Sequence, residues 1–188
     1  MDDSLDIRAF LAVDIDKKLI ERIVEVQELV NEVGAPVKFV EPENLHFTIK
    51  FFGDVNEEKL NQIKSIIDKG IVKLSPFEIE IHGMGVFPSL RYIRVLWLGT
   101  NVYESFSNLQ KEFDPEFVKI GFKKERSYIP HLTIGRLKGS NKKDLLVEKI
   151  EQLNDIDIGN ILINQLILKK SELTPSGPIY TNMETYEL

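Results

Sequence analysis

One four-residue pattern occurs twice in this chain, as His46-Phe47-Thr48-Ile49 and His131-Leu132-Thr133-Ile134. Only three histidines occur in 188 residues, and two of them open the pattern. Side chains alternate between faces along a strand, so each copy sends its histidine and threonine one way and its apolar residues the other. The apolar face must pack on helices, which leaves the polar face open. A fold for this chain has to provide two such strands in comparable surroundings.

Other landmarks repeat at nearly the same offset. The two histidines lie 85 residues apart, and Arg8 and Arg94, which open comparable apolar strands, lie 86 apart. The strands beginning near Phe77 and Leu162 again differ by 85. A single duplication fits these offsets, whereas a solenoid needs more and shorter units. We expect residues 1–188 to form one domain of two pseudo-symmetric lobes facing a central cleft. The fold class is α+β, with mixed or antiparallel sheets and flanking helices.

The coarse pattern fills in that frame. Arg8–Ile15 reads as a buried strand, and Asp16 as the N-cap of a helix carrying Leu19, Ile23, Gln27 and Val30. Val37–Val40 and Leu45–Phe52 follow as strands, and Asn56 caps a helix with Leu60, Ile63, Ile66 and Ile67. Phe77–His82 and Tyr92–Leu98 read as strands, and 102–113 as a helix. Residues 114–128 read as a loop with Lys119, Lys123, Lys124 and Arg126. After the strand opened by His131 come a helix capped by Asn141, a strand Ile161–Leu168, a turn at 174–178 and a last strand Ile179–Tyr186.

Composition narrows the chemistry. Zero cysteines exclude disulfides, cysteine-ligated zinc, iron–sulfur clusters and thiol nucleophiles. No apolar run approaches the roughly 20 residues that cross a bilayer, and no signal pattern follows the acidic N-terminus. Cytoplasmic location, no membrane partner and a monomer are the expectations. The net charge of −6 argues against coating nucleic acid nonspecifically but not against gripping one RNA end.

Two histidines that meet across a cleft suit acid–base work on a phosphate. Imidazole titrates near pH 6.5, so one ring takes a proton from a nucleophile while the other gives one to a leaving oxygen. Thr48 and Thr133 hydroxyls then donate to non-bridging oxygens and stabilise developing charge. No metal or other cofactor is required, and no carboxylate cluster is evident to hold one. Lys50 shares the strand face of His46 by alternation, so it either charges the cleft or sits at its rim. Arg136 falls on the apolar face by strict alternation, where an unpaired charge is costly. Either Gly135 permits a bulge that turns Arg136 into the cleft, or the strand ends there. The basic loop before His131 is either a solvated surface or a contact for RNA backbone. His82 reads as structural. Phe52, Phe87 and Tyr92 are candidates to stack a base, with core packing the alternative for each.

Taken together, the chain resembles the two-histidine phosphoesterases, in particular the RNA 2′,3′-cyclic phosphodiesterases also called 2′-5′ RNA ligases. The resemblance rests on both His-x-Thr motifs, Arg8-Ala9-Phe10-Leu11-Ala12, Gly85-Val86-Phe87-Pro88, Pro130 through Arg136, Ser171-Glu172-Leu173 and Gly177-Pro178-x-Tyr180. It implies metal-free opening of a terminal 2′,3′-cyclic phosphate to a 2′-phosphate. His46 is then the proton donor and His131 the acceptor. Thr48 and Thr133 bind the phosphate, and Arg136 binds substrate in the cleft. The implied partner is RNA with a cyclic-phosphate end, tRNA fragments being one candidate source. Two alternatives stand beside hydrolysis: 2′-5′ ligation of RNA halves as the main activity, and a non-catalytic module that binds RNA ends.

Overall fold

In the computed structural model the described residues are 6–101, 103–125, 129–175 and 177–188. Thirteen labelled elements alternate along the chain. They are β1 (Ile7–Asp14), α1 (Lys17–Asn31), β2 (Val37–Phe39), β3 (His46–Val55), α2 (Glu57–Ile71), β4 (Phe77–Ser89), β5 (Tyr92–Thr100), α3 (Tyr103–Lys119), β6 (Leu132–Leu137), α4 (Lys143–Gln152), β7 (Asp157–Ile163), β8 (Gln165–Thr174) and β9 (Gly177–Glu187). The expected caps form where predicted in α1 and α2. The Asp16 carboxylate accepts from Lys18 N, and the Asn56 side-chain oxygen from Lys59 N at 2.9 Å.

The strands form one nine-stranded sheet in the order β7-β4-β5-β6-β3-β1-β8-β9, with β2 pairing β6. All of these pairs are antiparallel. At its centre β3 meets β6 through the pair Phe47 and Leu132. One half-sheet (β3, β1, β8, β9) therefore meets the other (β6, β5, β4, β7) at the duplicated motif. This is the α+β, two-lobed arrangement expected, but the lobes are not consecutive halves of the chain. Helix α1 follows β1 and packs on β6 and β7 of the opposite half, while α3 follows β5 and packs on β3. The chain crosses the centre repeatedly, so neither half-sheet completes its core without the other's helix.

Several boundaries differ from the sequence reading, each for a local reason. Ile161–Leu168 is two strands, because the chain leaves β4 for β1 at Asn164. The unbroken apolar run conceals that crossing. Strand β4 continues past His82 to Ser89, with a register shift around Gly83 (φ +75°). Helix α3 runs through Asp114 and Pro115 to Lys119 rather than stopping at Phe113. Phe117 is fully buried one turn past Phe113, and that packing outweighs the hydrogen bond a proline cannot donate. Helix α4 has Lys142, in the left-handed region, at its N-cap instead of Asn141. The calls on Met1–Ser4, Val102, Arg126, Tyr128 and Ser176 lie outside the described residues.

Candidate active site

The pairing of Phe47 with Leu132 organises the centre of the sheet. Both residues are fully buried, and Phe47 packs on Phe106 of α3 at 5.2 Å between ring centroids. Continuing that antiparallel register sets His46 across from Thr133, and Thr48 across from His131. All four point to the face opposite the helices. The structure thus brings together the two histidines and two threonines singled out in the sequence.

Both imidazoles are oriented by the backbone. His46 Nδ1 lies 2.7 Å from the Asn44 carbonyl oxygen, and His131 Nδ1 lies 2.9 Å from that of Ile129. A carbonyl only accepts, so each Nδ1 carries a proton, and Nε2 is left for chemistry. His46 Nε2 lies 3.1 Å from Thr48 Oγ1, whose hydroxyl donates to the neutral ring. The His46 ring is wedged between Phe10 (5.0 Å) and Tyr180 (5.3 Å, edge-on). The His131 ring stands edge-on to Phe87 at 4.9 Å, and Phe87 lies on Trp97 at 5.1 Å. A Cβ at Gly85 would come within 2.3 Å of the Trp97 indole, so only glycine lets that stack seat.

Burial lowers the pKa of His46 below its ordinary 6.5, and Lys169 and His131 add to that, while the Asn44 hydrogen bond and Asp14 oppose it. Asp14 is the ladder partner of His46. The buried Lys169 ammonium sits 2.8 Å from Asp14 Oδ1 and 2.8 Å from Asn182 Oδ1. One fixed cation and one carboxylate therefore flank the back of His46.

Both motif strands bulge just after the threonine. Against β1, Thr48 pairs with Ala12 and Lys50 with Leu11, leaving Ile49 as the extra residue. Against β5, Thr133 pairs with Trp97 and Gly135 with Leu96, leaving Ile134 extra. Each bulge reverses the alternation that follows it. Arg136 consequently turns into the cleft, as the bulge reading of the sequence required, with Ile134 rather than Gly135 the inserted residue. The same inversion corrects the reading of Lys50 and Phe51. Lys50 turns away from the cleft to the helical side and is 4% exposed. Its ammonium pairs with Asp114 (2.7 Å) and Glu125 (3.0 Å) and donates to the Lys123 carbonyl (2.6 Å). Phe51, which strict alternation from Phe47 and Ile49 puts on the apolar face, is 47% exposed and lines the cleft, with the Arg8 guanidinium 4.7 Å from its ring centroid.

Each bulge is held from behind by a buried glutamine. Gln110 of α3 donates to the Ile49 carbonyl at 3.1 Å, and Gln27 of α1 donates to the Ile134 carbonyl at 2.9 Å. An unsatisfied buried carbonyl is expensive. Gln110 gives the Ile49 carbonyl a donor, while the Ile134 carbonyl also accepts from the Val40 N–H at 3.0 Å, so Gln27 adds a second donor there and donates to the Val40 carbonyl at 2.9 Å as well. The two helices belong to opposite halves of the chain.

The cleft holds about 560 Å³ and is lined by His46, Thr48, Thr133, Arg136, Phe51 and Tyr180, among others. Lys38 and Lys138 add positive charge and Glu41 and Glu43 oppose it. Tyr180, Phe10 and Phe51 were missed as site residues, although Arg8-Ala9-Phe10 and Gly177-Pro178-x-Tyr180 had been noted as motifs. Of the proposed stacking residues, Phe52 is core, packed on Phe117 and Phe122. Phe87 braces His131, and Tyr92 is 56% exposed. The described residues of the basic loop do not line the cleft: Lys119 pairs with Glu116 in α3, and Lys123 and Glu125 enclose Lys50. His82 bonds Asp155 at 2.9 Å. Glu80, His82 and Asp157 do gather, with one ligand atom each within 4.8 Å of the others, but on β4 and β7 and outside the cleft lining.

Comparison with known proteins places this geometry. The family model of LigT-like phosphoesterases matches residues 13–97 and 100–180. A Methanothermobacter thermautotrophicus protein named RNA 2′,3′-cyclic phosphodiesterase is 52% identical over 184 residues, covering 98% of this chain and 100% of its own length. A Methanocaldococcus jannaschii protein of the same name is 44% identical over 92% of this chain and 96% of its own. Among solved structures, that of Escherichia coli LigT complexed with 3′-AMP superposes with a TM-score of 0.79 at 21% identity, covering 97% and 98% of the two chains. Among the described residues no helix is long and apolar enough to cross a membrane.

Proposed function

The chain belongs to the LigT-like phosphoesterase family, and from that premise we propose that it hydrolyses the 2′,3′-cyclic phosphate at the end of an RNA to a 2′-phosphate. The observation that carries the reading is the pair of motif strands joined at Phe47 and Leu132, with both imidazoles fixed through Nδ1 so that Nε2 is the nitrogen left for chemistry.

The phosphodiester sits between the two Nε2 atoms, with Thr48 and Thr133 hydroxyls donating to its non-bridging oxygens. His131 takes a proton from water as the water oxygen bonds to phosphorus. The bond from phosphorus to the 3′ oxygen breaks, and His46 gives that oxygen its proton. The products are a 2′-phosphomonoester and a free 3′ hydroxyl. His46 must be protonated for this step, yet burial and Lys169 favour its neutral form in the free protein. The bound phosphodiester anion supplies the opposite charge and brings the proton onto His46. Thr48 then releases its bond to Nε2 and turns to the phosphate. Arg136, in the cleft, holds a phosphate oxygen or the base plane of the terminal nucleotide.

The substrate is RNA with a cyclic-phosphate end, tRNA fragments included, and the chain acts as a monomer in the cytoplasm. The test is turnover of such an RNA by His46→Ala and His131→Ala. Each is expected to lower kcat by about 10²- to 10⁴-fold with an unchanged circular dichroism spectrum. Near-full turnover by either folded variant would remove that histidine from the mechanism.

A further inference from the structure

On the far side of Arg136 from the cleft lies a second hollow of about 490 Å³. Arg136 and Lys138 line both spaces, so the two adjoin. The second is floored by Tyr92 and Ile93 and edged by Arg94 and Lys143. Arg94 reaches it because β5 is bulged there: Phe87 pairs with Val95 and Pro88 with Ile93, which leaves Arg94 as the extra residue. Its guanidinium lies over the exposed Tyr92 ring at 4.9 Å and donates to the Tyr92 hydroxyl at 2.9 Å.

The charge of this hollow runs against that of the molecule. Among the described residues four cations line it and no carboxylate does, in a chain of net charge −6. Among the described residues, none of Arg94, Arg136, Lys138 and Lys143 lies within 4.0 Å of a carboxylate, although ion pairs are frequent elsewhere on the surface. Like charges gathered without counter-ions favour an anionic ligand. A cyclic phosphate sits on the last ribose of its strand, so the rest of the strand leaves through the 5′ oxygen of that nucleotide. Its phosphates need a cationic path out of the cleft, and this hollow adjoins it across Arg136 and Lys138. A basic groove with an exposed aromatic ring is how single strands are bound without sequence preference.

We propose that this groove binds the phosphates of the nucleotides on the 5′ side of the cyclic end, making an RNA strand, rather than a mononucleotide, the substrate. The inference rests on the phosphodiesterase reading above and goes on to name the substrate class. Arg94 and Lys143 are strand-binding residues and lie outside the catalytic cleft.

The test compares adenosine 2′,3′-cyclic phosphate with a short RNA oligomer ending in the same group, for the wild type, R94E/K143E and the milder R94Q/K143Q. The wild type is expected to show a higher kcat/KM on the oligomer, falling with salt. Both variants are expected to keep mononucleotide turnover, which also shows them folded, and to lose the oligomer advantage. For single strands each lost phosphate contact lowers the slope of log kcat/KM against log salt by about 0.7, so about 1.4 for two. Equal kcat/KM on the two substrates in the wild type, or an undiminished oligomer advantage in both variants, would overturn the groove. If the wild type turns over neither substrate, the phosphodiesterase reading fails instead. Binding of a 3′-hydroxyl oligomer then decides the groove alone: weaker binding by the variants supports it and equal binding overturns it.

Discussion

Gln27 and Gln110 perform the same task at the two ends of the site. Gln27 Nε2 donates to the Ile134 carbonyl and Gln110 Nε2 to the Ile49 carbonyl, each holding the bulge beside one of the two motif threonines. The bulges decide what enters the cleft, so the glutamines connect helix packing to the geometry of the cleft.

Replacing either glutamine by leucine removes a buried donor: the Ile49 carbonyl loses Gln110, and the Val40 and Ile134 carbonyls lose Gln27, Ile134 keeping its bond from the Val40 N–H. We expect a stability loss of about 1–3 kcal/mol for each in chemical denaturation. Turnover should fall too, because Thr48 or Thr133 shifts with its bulge. Unaltered stability in both variants would mean that the ladder alone holds the bulges.

Lys50 is expected to matter for folding and not for chemistry. Lys50→Met removes the cation paired with the buried Asp114 carboxylate and should cost about 3–5 kcal/mol. The double variant Lys50→Met/Asp114→Leu should recover part of that loss. At temperatures where the single variant is folded, kcat should stay near wild type. A large drop in kcat there, with KM unchanged, would return Lys50 to the catalytic face.

The lowered pKa of His46 sets a pH signature. The donor must be protonated, so activity is lost as pH rises through its pKa. For kcat/KM, which reports the free enzyme, that alkaline limb lies below 6.5. For kcat the bound anion moves the limb upward. Lys169→Met removes a cation that disfavours the charged ring, so its kcat/KM limb should shift to higher pH. Coincident limbs for kcat and kcat/KM, or no shift on Lys169→Met, would contradict the assignment of His46 as donor.

Phe51 presents an exposed ring to the cleft with Arg8 behind it. Phe51→Ala should raise KM and leave kcat near wild type, with a loss of about 1–3 kcal/mol if the ring stacks a base. Phe52→Ala should instead destabilise the fold, since that ring is buried between Phe117 and Phe122. Titration of substrate against each variant separates the two.

The reacting groups were legible because the pattern states them twice. The caps of α1 and α2 and most strands were legible from local chemistry. What alternation could not show was where it breaks. A bulge is fixed by the neighbouring strand and by a donor far away in sequence, as Gln27 is for Ile134, 107 residues on. Arg136 announced the problem because a charge on an apolar face is improbable. At Lys50 an equally displaced charge looked correctly placed and gave no warning. The 85-residue offset held the clue, since it aligns Lys50 with Gly135 and Phe51 with Arg136. The crossing at Asn164 was hidden for a related reason: two strands buried in different halves read as one apolar run.

The most direct measurement is the product formed from an RNA oligomer ending in a 2′,3′-cyclic phosphate, incubated with the purified protein in excess EDTA. The account predicts complete conversion to a terminal 2′-monophosphate with a free 3′ hydroxyl. A 3′-monophosphate product, or turnover that appears only when a divalent metal is restored, would contradict metal-free attack with His46 protonating the 3′ oxygen.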